Sequence, residues 1–170
     1  TLAEKLGSQI RNGKAPLEEI RAAMKMVFDV DKDQTMPFTV TPEFTEVFGE
    51  IPDIDDISYK VSNIDGLFEN LMLVKADAKN HGQDGQAGDE RLYCLDYEWV
   101  FDFPVPAHFV QYRNLAYFYY KYQGLLQYAG LEDFLEEFSI SRQTAALYAS
   151  MEEAFQSYVH GDGSQGYLAR

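Results

Sequence analysis

Basic residues are scarce in this chain: 14 lysines and arginines stand against 28 aspartates and glutamates, a formal net charge of −14 over 170 residues. Such a surface repels phosphate backbones and anionic lipid, and no Lys/Arg cluster offsets it, so neither nucleic acid nor an anionic membrane is an expected partner. Cysteine is nearly absent. Cys94 alone excludes a disulfide framework and argues against a thiolate-ligated metal; within its apolar run it reads as a small buried hydrophobe. No stretch approaches the roughly 20 apolar residues that span a bilayer, so no membrane span is expected, and no signal-peptide pattern is visible. The three histidines, His81, His108 and His160, are scattered and suggest neither a metal site nor a nucleophilic triad.

What the chain has in quantity is apolar and aromatic mass, 46% and 15% of its residues. That is enough for one ordinary domain with a densely packed core. Thr1 and Glu4 fit a capping box ahead of Leu2, Leu6 and Ile10, and Asn12-Gly13 ends that helix. The entry straight into a helical pattern on a threonine suggests a piece of a longer polypeptide. Pro16 opens a second helix with the stripe Ile20, Ala23, Met24, Val27 and Phe28. Asp31-Lys32-Asp33 ends it. A calcium loop does not fit there, since Met36 takes the glycine position and Pro42 that of the bidentate glutamate. Glu43 to Phe48 predicts one or two helical turns, and Asp53, Asp55 and Asp56 a solvated acidic loop.

Leu71–Lys75 and Leu92–Leu95 predict two short strands joined by a mobile connection over Asn80–Glu90, with Gly82, Gly85 and Gly88. After Phe103-Pro104-Val105-Pro106 comes a long aromatic helix carrying Phe109, Tyr112, Ala116, Tyr119 and Tyr120, a core stripe rather than a stacking platform. Leu131–Phe138 gives a further helix. Ser141 caps a last one to about Val159, with Ala145, Tyr148, Met151, Ala154, Phe155 and Tyr158 inward. Residues 1–160 are thus expected to form one unit, mostly helical and α+β, followed by a flexible tail over 161–170. There is no internal repeat.

Two polar stretches abut the predicted strands. Asp65 and Asn70 lie in Asn63-Ile64-Asp65-Gly66-Leu67-Phe68-Glu69-Asn70, directly before the first strand. Asp96 and Glu98 lie in Asp96-Tyr97-Glu98-Trp99, directly after the second. Oxygen ligands delivered to one end of a hairpin suit a divalent metal or a phosphate. The competing reading is a polar loop whose side chains cap backbone groups. Trp99 is expected to pack the loop rather than to stack a ligand.

This order of a helix pair, an Asp-x4-Asn loop, a hairpin and an Asp-aromatic-Glu ending resembles the C-terminal lobe of the aminoglycoside-phosphotransferase and choline-kinase-like branch of the protein-kinase-like fold. The resemblance covers roughly residues 1–122. It implies Asp65 as the catalytic base that orients and deprotonates a substrate hydroxyl. It implies Asn70 and Asp96 as metal ligands, and ATP and Mg2+ as cofactors. Glu98 would add an outer contact, and Asp102 would anchor the loop to the following helix. Asn63 replaces the histidine usual in the family. No Gly-rich nucleotide loop and no Ala-x-Lys strand occurs in these residues; in the family both precede this lobe, so the isolated piece is expected to bind ATP weakly.

The run Leu95 to Pro106 is also similar to a stretch of large bacterial surface-polysaccharide proteins, in which methyltransferase, kinase-like and glycosyltransferase regions share one chain. That similarity implies a sugar or glycan acceptor, neighbouring domains of the same chain as partners, and a cytoplasmic location or one at the inner membrane face. A catalytically silent kinase-like scaffold in such a glycosyltransferase is the alternative, and an unrelated helical interaction domain a third.

Overall fold

The computed structural model describes residues 1–29, 32–75 and 90–161. The expected glycine-containing connection and the tail beyond residue 161 lie outside them, as do residues 30–31. Within them the fold is α+β, predominantly helical, with small antiparallel sheets.

Helix α1 (Leu2–Arg11) starts with the capping box of Thr1 and Glu4 and buries Leu2, Leu6 and Ile10. Its chain stops at Asn12, with Gly13 at φ +87°, a backbone state that costs glycine little. Helix α2 (Pro16–Phe28) takes Pro16 in its first turn, where a missing N–H is harmless, and buries Ile20 and Ala23. A 3-10 turn (Lys32–Gln34) leads to β1 (Thr35–Pro37). Thr41 then caps α3 (Pro42–Phe48) by accepting the Phe44 amide at 3.2 Å.

Five more short strands follow: β2 (Ile57–Tyr59), β3 (Ser62–Asn63), β4 (Leu71–Lys75), β5 (Glu90–Cys94) and β6 (Val100–Phe101). They pair antiparallel as β1–β2, β3–β6 and β4–β5. In the last ladder Leu71 faces Cys94 and Leu73 faces Leu92, while Met72 faces Tyr93. Because side chains alternate across a strand, the first two pairs pack on the core and the third faces outward.

Helix α4 (Ala107–Leu126) is the central element. Twelve of its residues are buried, among them Phe109, Tyr112, Leu115 and Phe118, so it shows no clean amphipathic stripe, as expected for a helix covered on most sides. It packs against α1, α2, α5 (Leu131–Glu136) and α6 (Arg142–His160). A close approach fixes α1 on its far end: a Cβ added to Gly7 would lie 2.5 Å from the Tyr122 ring, where α4 departs from helical dihedrals. Ser141 caps α6 by accepting the Thr144 amide at 3.1 Å. Among the described residues no helix is long and apolar enough to cross a membrane.

Several sequence expectations change, among them Tyr120 of the α4 stripe, which is exposed. Asp53 and Asp55 are exposed, but Asp56 is not a solvated charge: its side chain is 3% exposed. Its Oδ1 meets His108 Nδ1 at 2.6 Å and accepts the Ile57 amide at 2.7 Å, and its Oδ2 accepts the Tyr148 hydroxyl at 3.2 Å. An acidic run in sequence does not disclose that one member turns inward to join β2, α4 and α6. Cys94 is only half-buried, on a strand whose one ladder partner is β4. Tyr158, expected inward, is 45% exposed and packs its ring edge-on against Trp99.

The Asp56 carboxylate holds the His108 ring above its ordinary pKa, mainly through their hydrogen bond, against the lowering effect of partial burial. A histidine pKa raised by folding means stabilisation that is fully present below the unfolded value of about 6.5 and is lost as pH rises through the folded value. The urea midpoint of the wild type relative to that of His108→Gln is therefore expected to be larger at pH 5.5 than at pH 8.5. Equal differences at the two pH values would remove this pair from the pH dependence.

Candidate functional site

The loop between β3 and β4 is tied at both ends. Pairing of Asn63 with Val100 and of Ser62 with Phe101 fixes its entry, and the Ile64 amide extends that ladder by donating to the Trp99 carbonyl at 3.1 Å. Inside the loop the Leu67 amide donates to the Asp65 carbonyl at 2.7 Å and the Asn70 amide to that of Leu67 at 2.8 Å. Asn70 Nδ2 reaches back over five residues to the Asp65 carbonyl at 2.9 Å. This bond is why the spacing between the two residues matters: it folds the loop on itself and fixes the orientation of the Asn70 carboxamide.

From below, α4 supplies the supports. Asn114 Oδ1 accepts the Phe68 amide at 2.7 Å, and its Nδ2 donates to the Gly66 carbonyl at 3.0 Å. Arg113 Nη1 donates to the Ile64 carbonyl. Both side chains are buried, so the loop backbone rests on polar groups that water does not reach and that need these bonds to be satisfied. Sequence reasoning assigned this anchoring to Asp102. That residue is exposed and makes no side-chain bond with a described residue; Arg113 and Asn114, hidden inside an aromatic stripe, perform it instead.

Asp65 is half-buried. Its Oδ2 accepts the Trp99 amide at 2.7 Å. Burial raises its pKa, and the nearby Asp96 charge adds to this; the Trp99 and Glu98 amides and the Arg113 guanidinium work in the opposite direction. Asp96 follows β5 directly. The Leu95 amide donates to the Asn70 carbonyl at 2.7 Å, which continues the hairpin ladder by one pair and brings Asp96 to the same end as Asn70. The Asn70 carboxamide oxygen and the exposed Asp96 carboxylate accept no hydrogen bond from the described residues. All three sequence-predicted residues thus lie around one loop and one hairpin end. Glu98 contributes its amide rather than its carboxylate to Asp65.

Asn63 links the two arms. Its Oδ1 accepts the Asp65 amide at 3.0 Å, its Nδ2 approaches Cys94 Sγ at 3.4 Å, and that thiol donates to the Asp96 carbonyl at 2.7 Å. Trp99 packs as expected, edge-on against Phe155 and Tyr158.

Among the described residues no group of three or more His, Cys, Asp or Glu side chains could hold a metal ion. An all-protein cage is therefore not what this arrangement offers. Hard oxygens from one amide and one carboxylate do match the way magnesium is held when substrate phosphates and water complete its shell. Comparisons of the chain with protein-family models, with curated proteins and with solved structures gave no match.

Proposed function

We propose that this chain is a kinase-like phosphotransferase module, the C-terminal lobe of a protein-kinase-like domain, acting on a hydroxyl of a small molecule or glycan within a larger polysaccharide-biosynthesis protein. The observation that supports the reading is the bond from Asn70 Nδ2 to the Asp65 carbonyl, which folds the Asp-x4-Asn loop on itself beside Asp96. ATP would supply the transferable phosphoryl group, and Mg2+ would neutralise charge between the phosphates. Asn70 and Asp96 are the residues that would hold the metal, through their unengaged oxygens. Asp65 would orient the acceptor hydroxyl and take its proton; its raised pKa moves a carboxylate toward the range where a general base is effective at neutral pH.

These residues contain no glycine-rich phosphate loop and no strand lysine for the nucleotide. In this reading those groups come from outside them, and neighbouring domains of the same chain are the partners. A second reading, a catalytically silent scaffold of a multidomain glycosyltransferase, rests on a different observation. The Asp65 carboxylate already accepts the Trp99 amide, and Asn63 stands in the place of a histidine, so the loop would hold its shape without performing chemistry.

Calorimetry of the full-length protein with ATP and Mg2+ separates the two. The phosphotransferase reading expects nucleotide binding that Asp96→Ala weakens at least tenfold. Equal binding by both proteins, or none by either, would leave only the scaffold.

A further inference from the structure

A cavity of about 350 Å3 lies behind the loop, on the core side of the β4–β5 hairpin. Phe28 of α2, Val61, Leu71, Leu92 and Val110 of α4 give it mostly apolar walls. Its volume is in the range of small-molecule sites, which are typically apolar enclosures with a few polar groups that fix orientation. Two such groups stand here. Lys60 and Gln34 line the cavity, and neither side chain makes an ion pair or hydrogen bond with a described residue. Among the described residues Lys60, like Arg11, Lys14 and Arg91, forms no ion pair with a carboxylate, and of these four it is Lys60 that lines the cavity.

A mostly apolar cavity beside an ammonium that no described carboxylate pairs with selects for a ligand with both properties. A neutral apolar molecule would fill the walls and leave the charge unused. A small hydrophilic anion would meet the charge and leave apolar surface wet, forgoing the gain from covering it. We infer that this cavity binds an amphipathic organic anion, an apolar body carrying one carboxylate or sulfonate, with the anionic group at Lys60 and the body against Leu71, Leu92 and Val110. The inference does not rest on the phosphotransferase reading. Asn63 also lines the cavity and holds the Asp65 amide, so the ligand would touch the loop at that residue.

The test uses two fluorescent probes of similar shape, 1-anilinonaphthalene-8-sulfonate and the uncharged N-phenyl-1-naphthylamine, with sodium octanoate as competitor. The sulfonate is expected to bind the full chain at one site and to be displaced by octanoate. Lys60→Gln, a change at an exposed side chain, is expected to weaken the sulfonate at least fivefold and the neutral probe less than twofold. Amide chemical-shift changes should centre on Val61, Leu92 and Val110. Sulfonate affinity unchanged by Lys60→Gln, shift changes centred on the outward hairpin face at Met72 and Tyr93, or no sulfonate binding at all would each overturn the assignment.

Discussion

Glu152→Ala is expected to lower the folding stability by roughly 3–5 kcal/mol, because it leaves a buried guanidinium without its counter-charge. Arg113 and Glu152 are each 3% exposed and meet at 2.6 Å. Glu152 Oε1 also accepts the Tyr117 hydroxyl at 3.0 Å and the Gln156 carboxamide at 2.9 Å. The Arg113 side chain lies over the Phe155 ring, 5.0 Å from its centroid, and holds the Ile64 carbonyl. Removal of the carboxylate therefore strands a charge in an aromatic enclosure and loosens the loop that carries Asp65. The loss is a large part of the 5–15 kcal/mol that a domain usually has. Urea denaturation of Glu152→Ala checks the magnitude. The double variant Arg113→Met with Glu152→Leu should recover part of it, since an apolar pair leaves no charge unpaired, although the Ile64 carbonyl and the Tyr117 and Gln156 side chains lose their partners; a double variant no more stable than the single one would contradict the charge argument.

Phe48→Ala is expected to cost a similar amount, about 3–5 kcal/mol, for a different reason: a cavity. Phe48 ends α3 and is 2% exposed. Its ring meets Phe44 of the same helix, Phe101 of β6, Phe109 of α4 and Phe155 of α6, with centroids 5.0–5.9 Å apart. Four elements lose contact surface at once, and large aromatic neighbours collapse poorly into the space. Denaturation with urea should show a lowered midpoint with an unchanged slope. A loss below about 1 kcal/mol would mean that α3 is dispensable to the core, at odds with the usual cost of emptying such a site.

The helices were legible because capping residues, proline positions and apolar spacing act locally. Thr1 with Glu4, Pro16, Gly130 and Ser141 stand where helices start, and the α4 stripe is buried as its aromatic content suggests except at Tyr120, which is exposed. The β4–β5 hairpin followed from two apolar runs. The pairs β1–β2 and β3–β6 did not, since strands of two or three residues carry no periodicity and exist only through partners far along the chain.

The same divide applies to the candidate site. Asp65, Asn70 and Asp96 were readable from spacing relative to a strand. Arg113, Asn114 and Glu152 were not, because a polar residue within a helix shows its role only when the loop it holds is in place. Asp56 with His108 is the same case: residues 52 apart in sequence meet at 2.6 Å.

In the phosphotransferase reading proposed above, Asn70 and Asp96 together would present oxygen ligands to a divalent cation at the end of the hairpin. Manganese ions added with ATP to the isotopically labelled chain, and to its Asp96→Asn variant, test it most directly, because paramagnetic broadening registers even weak occupancy. The account predicts broadening centred on the amides of Asn70, Leu95 and Asp96 and its loss in the variant. Broadening centred on the exposed Asp53 and Asp55, or a pattern unchanged by Asp96→Asn, would contradict it.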